Sequence, residues 1–249
     1  MDKKQQPVKK VGITGAAGNI GTTLQKGLCE NYDLFLYDIK EIRQTLAKKC
    51  IKVDFANKEE LKGIFNGLDV LIHLAGNPRP DAQAAQTLRN NFVATSFVFE
   101  EAKATGVKKI VFASSNFYHE GAIAEALREG IKHNITLDMP PTPLCLYGVS
   151  KVYAENLGRH LSYFDMQFVA LRIGWTIPED NPARYGTEYM RAVFCSKRDL
   201  IQAFAKAIEI ETDFLTAFAV SNNTRNVFDL TETKKNLGFL PQDNAEDYF

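Results

Sequence analysis

The sequence predicts an α/β fold with a doubly wound parallel sheet. Short apolar runs alternate along the chain with longer stretches of helical period, which is typical of parallel strands joined by helices. A glycine-rich segment, Thr14–Gly21, follows the first apolar run, and an acidic residue, Asp38, ends the second. The 249 residues suffice for one large domain, so we expect a single domain over residues 1–249.

Composition and charge are those of an ordinary globular protein. Hydrophobic residues make up 45% of the chain and charged residues 24%. The 30 basic residues balance the 30 acidic ones, so no excess of charge favours a nucleic-acid partner. No apolar run approaches the ~20 residues of a membrane span, and the polar N-terminus lacks the apolar segment of a signal peptide. We therefore expect a cytoplasmic protein with no membrane partner.

The spacing of cysteine and histidine predicts neither disulfides nor a metal site. The cysteines have no C-x-x-C spacing and lie far apart, at Cys29, Cys50, Cys145 and Cys195. We expect free, mostly buried thiols in a reducing compartment. His73 lies inside an apolar run and is expected to be a core residue.

The glycine-rich segment is predicted to bind phosphate. Its spacing is G-x-x-G-x-x-G, between a strand predicted at 8–14 and a helix predicted at 21–31. Free backbone N–H groups and the positive end of a helix dipole attract an anion there. Gly15 permits a tight turn, Gly18 lets the backbone approach a pyrophosphate, and Gly21 lets helix and strand pack closely. Glycines also cluster in ordinary turns, and that alternative stays open.

The acidic residue after the second strand indicates which nucleotide binds. The strand is predicted at 34–37 and ends at Asp38, about 20 residues after the glycine loop. An acid here is placed to accept hydrogen bonds from the hydroxyl groups of an adenosine ribose. Its charge repels a 2′-phosphate, so Asp38 favours NAD over NADP. The alternative is an acid that opens a loop.

Two further strands are predicted to end at the same edge of the sheet. The third, at 51–55, carries Asp54, which either holds the adenine amino group or is a solvated turn residue. The fourth, at 69–76, ends in a small, glycine-terminated tip that lets the cofactor lie across the sheet edge.

The middle of the chain is predicted to contain a long helix and a long irregular segment. Asp81 is expected to cap a helix over 81–105 that carries Asn91. The irregular segment, 116–146, is predicted to form a wall of the substrate pocket. The remaining elements are a short helix at 122–130, a helix at 147–164, a strand at 167–174, an irregular segment at 175–195, a helix capped by Ser196 that reaches 211, a strand at 215–221 and a helix at 231–237.

Three polar residues are candidates for catalysis. Tyr147 and Lys151 are four residues apart on a predicted helix and therefore project from one face. A tyrosine with a pKa of about 10 is a poor base at neutral pH, but a nearby ammonium and a positive nicotinamide favour the phenolate. Lys151 is also placed to hold the nicotinamide ribose. A fifth strand, at 108–115, ends in Ser115, whose hydroxyl would orient a substrate hydroxyl.

These motifs resemble those of the extended short-chain dehydrogenase/reductases, the NAD-dependent epimerase/dehydratase superfamily. The resemblance covers nearly the whole chain and rests on 14–21, Asn91, 112–115 and 147–151. It implies a Rossmann fold, NAD as cofactor, Tyr147 as general base, Lys151 as its partner, Ser115 as the hydrogen-bonding serine, a structural Ser114 and a possible homodimer. The implied cofactor contacts are Gly15, Gly18, Asn19, Ile20, Gly21, Asp38, Asp54, Phe55, Leu74, Ala75, Gly76, Asn91, Tyr147 and Lys151.

Within that superfamily the chain is more similar to uronate dehydrogenases and related NAD-dependent sugar dehydrogenases. This similarity implies oxidation of a free sugar or uronic acid at the anomeric carbon to a lactone, with a small C-terminal substrate-binding portion over about 175–249. The implied substrate contacts are Asn77, Ser115, Asn116 and Arg184. Arg184 would bind the carboxylate of the sugar; a loop ion pair is the alternative. The similarity is carried by residues 112–116, 146–151, 172–174, 178–179, 184, 237–239 and 243–246.

Two departures and two rival functions accompany this reading. Phe117 stands where that family has histidine, and Asn77 where it has serine. An epimerase or dehydratase of a nucleotide sugar is disfavoured because only 98 residues follow Lys151. A catalytically idle NAD-binding regulator is disfavoured because Ser115, Tyr147 and Lys151 are all present.

Overall fold

A computed structural model describes residues 8–42 and 46–249 and contains one parallel β-sheet. Its strands are β1 (Lys10–Thr14), β2 (Asp33–Asp38), β3 (Lys49–Lys52), β4 (Val70–His73), β5 (Lys109–Ser115), β6 (Gln167–Ile173) and β7 (Phe214–Ala219). The strand order is β3-β2-β1-β4-β5-β6-β7, and every neighbouring pair is parallel. The predicted Rossmann-type doubly wound sheet is therefore confirmed.

Helices connect the strands and cover both faces of the sheet. The α-helices are α1 (Asn19–Leu28), α2 (Lys58–Leu61), α3 (Ala84–Thr87), α4 (Ala94–Ala104), α5 (Glu120–Glu129), α6 (Leu146–Ser162), α7 (Glu188–Val193), α8 (Lys197–Glu209) and α9 (Thr231–Leu237). Within the described ranges, no helix is long and apolar enough to cross a membrane.

The core consists of two main layers. On one face α1 and α8 bury Leu24 and Phe204 against the inner strands. On the other face α4 and α6 bury Phe99 and Leu161 in a cluster that includes Phe168 of β6. Each of these large side chains contributes roughly 1.5–3 kcal/mol when it leaves water, and together they fix the strand tips that carry the polar residues.

Several predicted elements differ from the structure, and the segment 175–195, predicted to be irregular, contains the helix α7. The third strand begins at Lys49 and ends at Lys52, before Asp54, because β3 is an edge strand whose exposed residues need not be apolar. The long helix begins at Ala84 with Gln83 at its N-cap, and it contains a π-helical segment, Leu88–Val93. Asp81 does not cap it, because its carboxylate pairs with the Arg79 guanidinium at 3.2 Å.

The cysteines are free, as predicted, but their burial differs from the expectation. Only Cys195 is buried; Cys29 and Cys145 are partly exposed and Cys50 is exposed. Cys50 lies on the edge strand β3, where one side of the strand has no neighbour to cover it.

Candidate active site

The glycine loop joins β1 to α1 in a cradle that only glycine can form. Gly15 has a φ of +68°, and a Cβ there would lie 2.8 Å from the backbone nitrogen of Ala75. A Cβ on Gly21 would lie 2.5 Å from the carbonyl oxygen of Ala16, so α1 sits against the loop with no room for a side chain. The N-cap of α1, Gly18, places no side-chain acceptor on the N–H groups of the first turn. These groups point outward with the positive end of the helix dipole, which suits a pyrophosphate.

Asp38 is buried at the end of β2 and fixes the glycine loop. One carboxylate oxygen accepts the Ala17 N–H at 2.9 Å, and the other accepts the Lys40 N–H at 2.8 Å. Its side chain also lines the cavity described below. A buried carboxylate with spare lone pairs at this point suits the hydroxyl groups of a ribose.

Asp54 lines the same cavity and is also part of a turn, and its contact with the adenine amino group stays a prediction. Its carboxylate accepts the Ala56 N–H at 3.0 Å and pairs with the Arg89 guanidinium at 2.5 Å. The hydrogen bond from Arg89 is the main cause that lowers the pKa of Asp54.

Ser115, Tyr147 and Lys151 meet where β5 ends and α6 begins. Tyr147 and Lys151 occupy successive turns of α6, and Lys151 Nζ lies 5.2 Å from the centre of the Tyr147 ring. Lys151 Nζ donates a hydrogen bond to the carbonyl oxygen of Ala113 at 2.8 Å. Ser115 lines the same cavity as Tyr147, and its hydroxyl acts to lower the pKa of Tyr147. The structure therefore brings the three candidate catalytic residues together.

The charge state of this group differs from the expectation. Burial raises the pKa of Tyr147, and the hydrogen bond with Ser115 offsets this only in part. Burial also lowers the pKa of Lys151 to about 8, against the opposing effect of the Glu155 carboxylate. The predicted lowering of the Tyr147 pKa is therefore not produced by the protein's own groups.

The helix that carries Tyr147 and Lys151 also carries one member of a buried ion pair. Glu155 and Arg172 are both buried and pair at 2.8 Å, from α6 to β6. Ser114 donates to the Glu155 carboxylate at 2.5 Å, which gives Ser114 a structural position. His119 accepts from Arg172 at 2.8 Å, and burial with the nearby guanidinium lowers the pKa of His119 to about 3.

One cavity of about 950 Å³ runs from the glycine loop to the catalytic residues. Its volume is in the range of sites for cofactor-sized ligands. Of the predicted site residues it is lined by Gly15, Gly18, Asn19, Ile20, Gly21, Asp38, Asp54, Phe55, Leu74, Ala75, Gly76, Asn77, Ser115, Asn116, Tyr147 and Lys151.

Two predicted site residues do not line this cavity. Asn91 lies beneath it in the π-helical segment, where its side chain accepts the Asn77 N–H at 2.7 Å and donates to the Asn77 carbonyl at 3.1 Å. It thereby holds the turn that carries Asn77. Arg184 is exposed, and its guanidinium pairs with the Glu179 carboxylate at 2.6 Å. This is the loop ion pair that the sequence left as the alternative, and the carboxylate-binding role of Arg184 stays a prediction.

Three aromatic residues of the cavity wall were missed by sequence reasoning. Trp175, Tyr185 and Tyr189 line the cavity, and Trp175 is 36% exposed. We call these three residues the aromatic wall. The Trp175 ring centre lies 5.2 Å from that of Tyr185 and 6.1 Å from that of Tyr189. The only feature of the sequence that could have indicated them is their position in the irregular segment after β6, since they form no motif.

A Rossmann sheet with this glycine cradle and a serine, tyrosine and lysine at one cavity defines a short-chain dehydrogenase/reductase. The chain matches the model of the NAD dependent epimerase/dehydratase family over residues 11–209. It therefore belongs to that family. The loop, Asp38 and the cavity volume fit the NAD that this family uses.

Several known proteins of similar sequence and structure are sugar dehydrogenases by name. The L-arabinose 1-dehydrogenase (NAD(P)(+)) of Haloferax volcanii is 32% identical, over 95% of this chain and 97% of its own. The NAD-dependent glucose-6-phosphate dehydrogenase of the same organism is 31% identical, over 95% and 94%. The crystal structure of uronate dehydrogenase from Agrobacterium tumefaciens has a TM-score of 0.82 at 26% identity and covers 98% of this chain and 88% of that chain. The predicted cofactor, NAD, and enzyme class, a dehydrogenase, are thereby confirmed.

Proposed function

We propose that the protein oxidises a free sugar or uronic acid at its anomeric carbon to the lactone, with Tyr147 as general base. One observation carries the proposal: Ser115, Tyr147 and Lys151 line the same cavity as the glycine loop and Asp38. A reacting carbon beside Tyr147 is therefore within reach of a dinucleotide held by the loop. The relatives named as arabinose, glucose-6-phosphate and uronate dehydrogenases support a sugar as the substrate.

The proposed reaction removes a proton and a hydride from the sugar. The Tyr147 phenolate accepts the proton of the C1 hydroxyl while the C1–H bond breaks and the C1=O double bond of the lactone forms. Ser115 orients the C1 hydroxyl through its own hydroxyl group, Lys151 lies beside the Tyr147 ring as its partner, and a positive nicotinamide would favour the phenolate when NAD is bound. When bound, NAD supplies the acceptor for the hydride.

We assign the sugar end of the cavity to the two segments predicted to form the pocket. Asn116 and Phe117 come from the segment 116–146, and the aromatic wall comes from the segment 175–249. The cytoplasmic location and the homodimer remain predictions from the sequence.

The first experiment measures NADH absorbance with NAD and a panel of sugars. The panel contains neutral aldoses, uronates and sugar phosphates, with nucleotide sugars as the rival class. Formation of NADH and lactone with a free sugar supports the proposal. Turnover of a nucleotide sugar without net NADH supports the epimerase alternative, and NAD binding without turnover supports the idle regulator.

Tyr147→Phe tests the general base. The variant should bind NAD but lose at least ~100-fold in kcat, because the proton of the C1 hydroxyl has no acceptor. Tyr153→Phe is the matched control on α6, since the Tyr153 hydroxyl lies 2.7 Å from Ser96 and Tyr153 does not line the cavity. It should keep wild-type kcat. Near-normal turnover by Tyr147→Phe would refute the assignment.

A further inference from the structure

Resting on the function proposed above, we infer that the site selects an uncharged sugar over a uronate or a sugar phosphate. The inference depends on which charges face the sugar end of the cavity. Among the described residues that line the cavity, the cations are Lys40 and Lys151. Lys40 follows Asp38 at the nucleotide end, and Lys151 is held by the Ala113 carbonyl beside Tyr147. The sugar end therefore offers no free cation from the described chain.

The two arginines that are closest in sequence to the aromatic wall, Arg184 and Arg191, are paired with glutamates. Arg184 is outside the cavity lining and forms its ion pair with Glu179. Arg191 pairs with Glu246 at 3.2 Å, and its guanidinium stacks 3.7 Å above the centre of the Phe249 ring. A carboxylate or phosphate on the sugar would leave water without gaining a partner charge, which is costly.

The polar groups at the sugar end are neutral and suit hydroxyl groups. Asn116 donates from Nδ2 to the Tyr189 hydroxyl at 2.6 Å, and Ser115 donates to Asn116 Oδ1 at 3.2 Å. This chain of hydrogen bonds leads from the catalytic serine to the aromatic wall. Amide and hydroxyl groups both donate and accept, as sugar hydroxyls require. Phe117 adds an apolar ring at 5.5 Å from the centre of the Tyr147 ring, where the uronate dehydrogenases were expected to have histidine.

The aromatic wall offers a surface for the C–H face of a sugar ring. Trp175 and Tyr185 are 36% and 39% exposed although they line a cavity, so their rings remain open to a ligand. Exposed aromatic rings beside a few oriented polar groups are typical of small-molecule sites. Such a surface binds a sugar without needing charge on it.

Binding is measured first, because it does not depend on turnover. Trp175 is the single tryptophan of the chain, so its fluorescence reports occupancy of the sugar end. The Tyr147→Phe variant, saturated with NAD, is titrated with glucose, glucuronate and glucose 6-phosphate, which share one ring and differ at C6. Galactose with galacturonate, and the pentoses xylose and arabinose, complete the set. We expect the tightest neutral sugar to bind at least about tenfold more tightly than any charged one.

Steady-state kinetics of the wild-type enzyme provide the second measurement and an independent check on folding. NADH formation should favour neutral sugars over charged ones in kcat/KM by the same margin. A uronate or a phosphate that is preferred in either measurement overturns the inference and leaves the proposed function intact. Absence of both binding and turnover for every sugar overturns the proposed function as well.

Two substitutions locate the selectivity. Tyr185→Leu should raise KM for the neutral sugar about tenfold with little change in kcat, since the lost contact is made equally in ground and transition states. Tyr163→Leu, at an exposed tyrosine outside the cavity, is the matched control and should leave KM and kcat unchanged. Arg184→Gln should change kcat/KM for neutral sugars by less than about twofold. A specific loss of uronate turnover in Arg184→Gln, from a wild type that prefers uronates, overturns the inference.

Discussion

At the scale of single residues, Asp38 holds the glycine loop and is predicted to set the choice of nucleotide. Asp38→Asn keeps an oxygen for the Ala17 N–H but loses the charge that repels a 2′-phosphate. Two like charges a few ångströms apart interact by several kcal/mol near a protein surface. The ratio of kcat/KM for NAD over NADP should therefore fall at least ~10-fold, measured by NADH and NADPH formation with one sugar.

Asp54→Asn is the matched control for that substitution. Asp54 also lines the cavity, but its charge is paired with Arg89, so its removal should leave the ratio nearly unchanged. An unchanged ratio in Asp38→Asn would show that Asp38 only supports the loop.

The same scale shows which site residues are predictable from sequence. Tyr147 and Lys151 are set by helical spacing, and Asp38 by the end of a strand, so local geometry suffices to place them. Trp175 is instead positioned by a β-bridge to Phe194, and its backbone N–H donates to the Val193 carbonyl at 2.7 Å. Arg184 is held outside the cavity by Glu179. Contacts of this kind leave no mark on local sequence.

At the scale of elements, α6 is fixed to β5 by three successive strand residues. Ala113 accepts a hydrogen bond from Lys151, Ser114 donates one to Glu155, and the Ser115 hydroxyl acts on Tyr147. Three neighbouring strand residues thus face three turns of the helix, at 147, 151 and 155, which sets the position of the catalytic face.

Glu155→Ala tests how much the buried ion pair contributes to this arrangement. The substitution leaves the Arg172 guanidinium buried without its partner charge. It should cost about 3–5 kcal/mol in the free energy of unfolding, measured by urea denaturation. Glu100→Ala is the control, because Glu100 pairs with Lys58 at an exposed site and should cost less than about 1 kcal/mol. An equal decrease in the free energy of unfolding in the two variants would show that burial does not increase the contribution of the ion pair to stability.

Elements were predictable where burial forces an apolar run. Strands β5 and β6 lie inside the sheet and were found within one or two residues, and Ser196 caps α8 as predicted. The range predicted for the edge strand β3 differs from the observed one because its residues are mostly exposed and therefore form no apolar run. The π-helical segment was not predicted. It accompanies hydrogen bonds between Asn91 and Asn77, and contacts between separate parts of the chain are not visible in the local sequence.

At the scale of the whole molecule, two buried histidines make stability depend on pH. Burial, and then the charge of Lys151, lowers the pKa of His73 to about 3. His73 is held between the Thr14 hydroxyl at 2.8 Å and the Thr95 hydroxyl at 3.1 Å. His119 is lowered to a pKa of about 3 by burial and Arg172. Both imidazoles therefore stay neutral in the folded protein down to acid pH, whereas they charge near 6.5 in the unfolded chain.

Because the folded pKa values are lowered, the unfolded chain binds more protons below pH 6.5. The two histidines therefore do not reduce the free energy of unfolding above that pH, and they reduce it progressively as the pH falls towards 3. Each histidine should remove up to about 1.4 kcal/mol per pH unit in this window. Urea denaturation at several pH values between 7 and 4 measures the slope. His119→Gln should make it shallower by one histidine's share, while His160→Gln, at an exposed histidine, should leave it unchanged. An equal slope in the wild type and His119→Gln would mean that the buried imidazole takes up its proton without unfolding the chain.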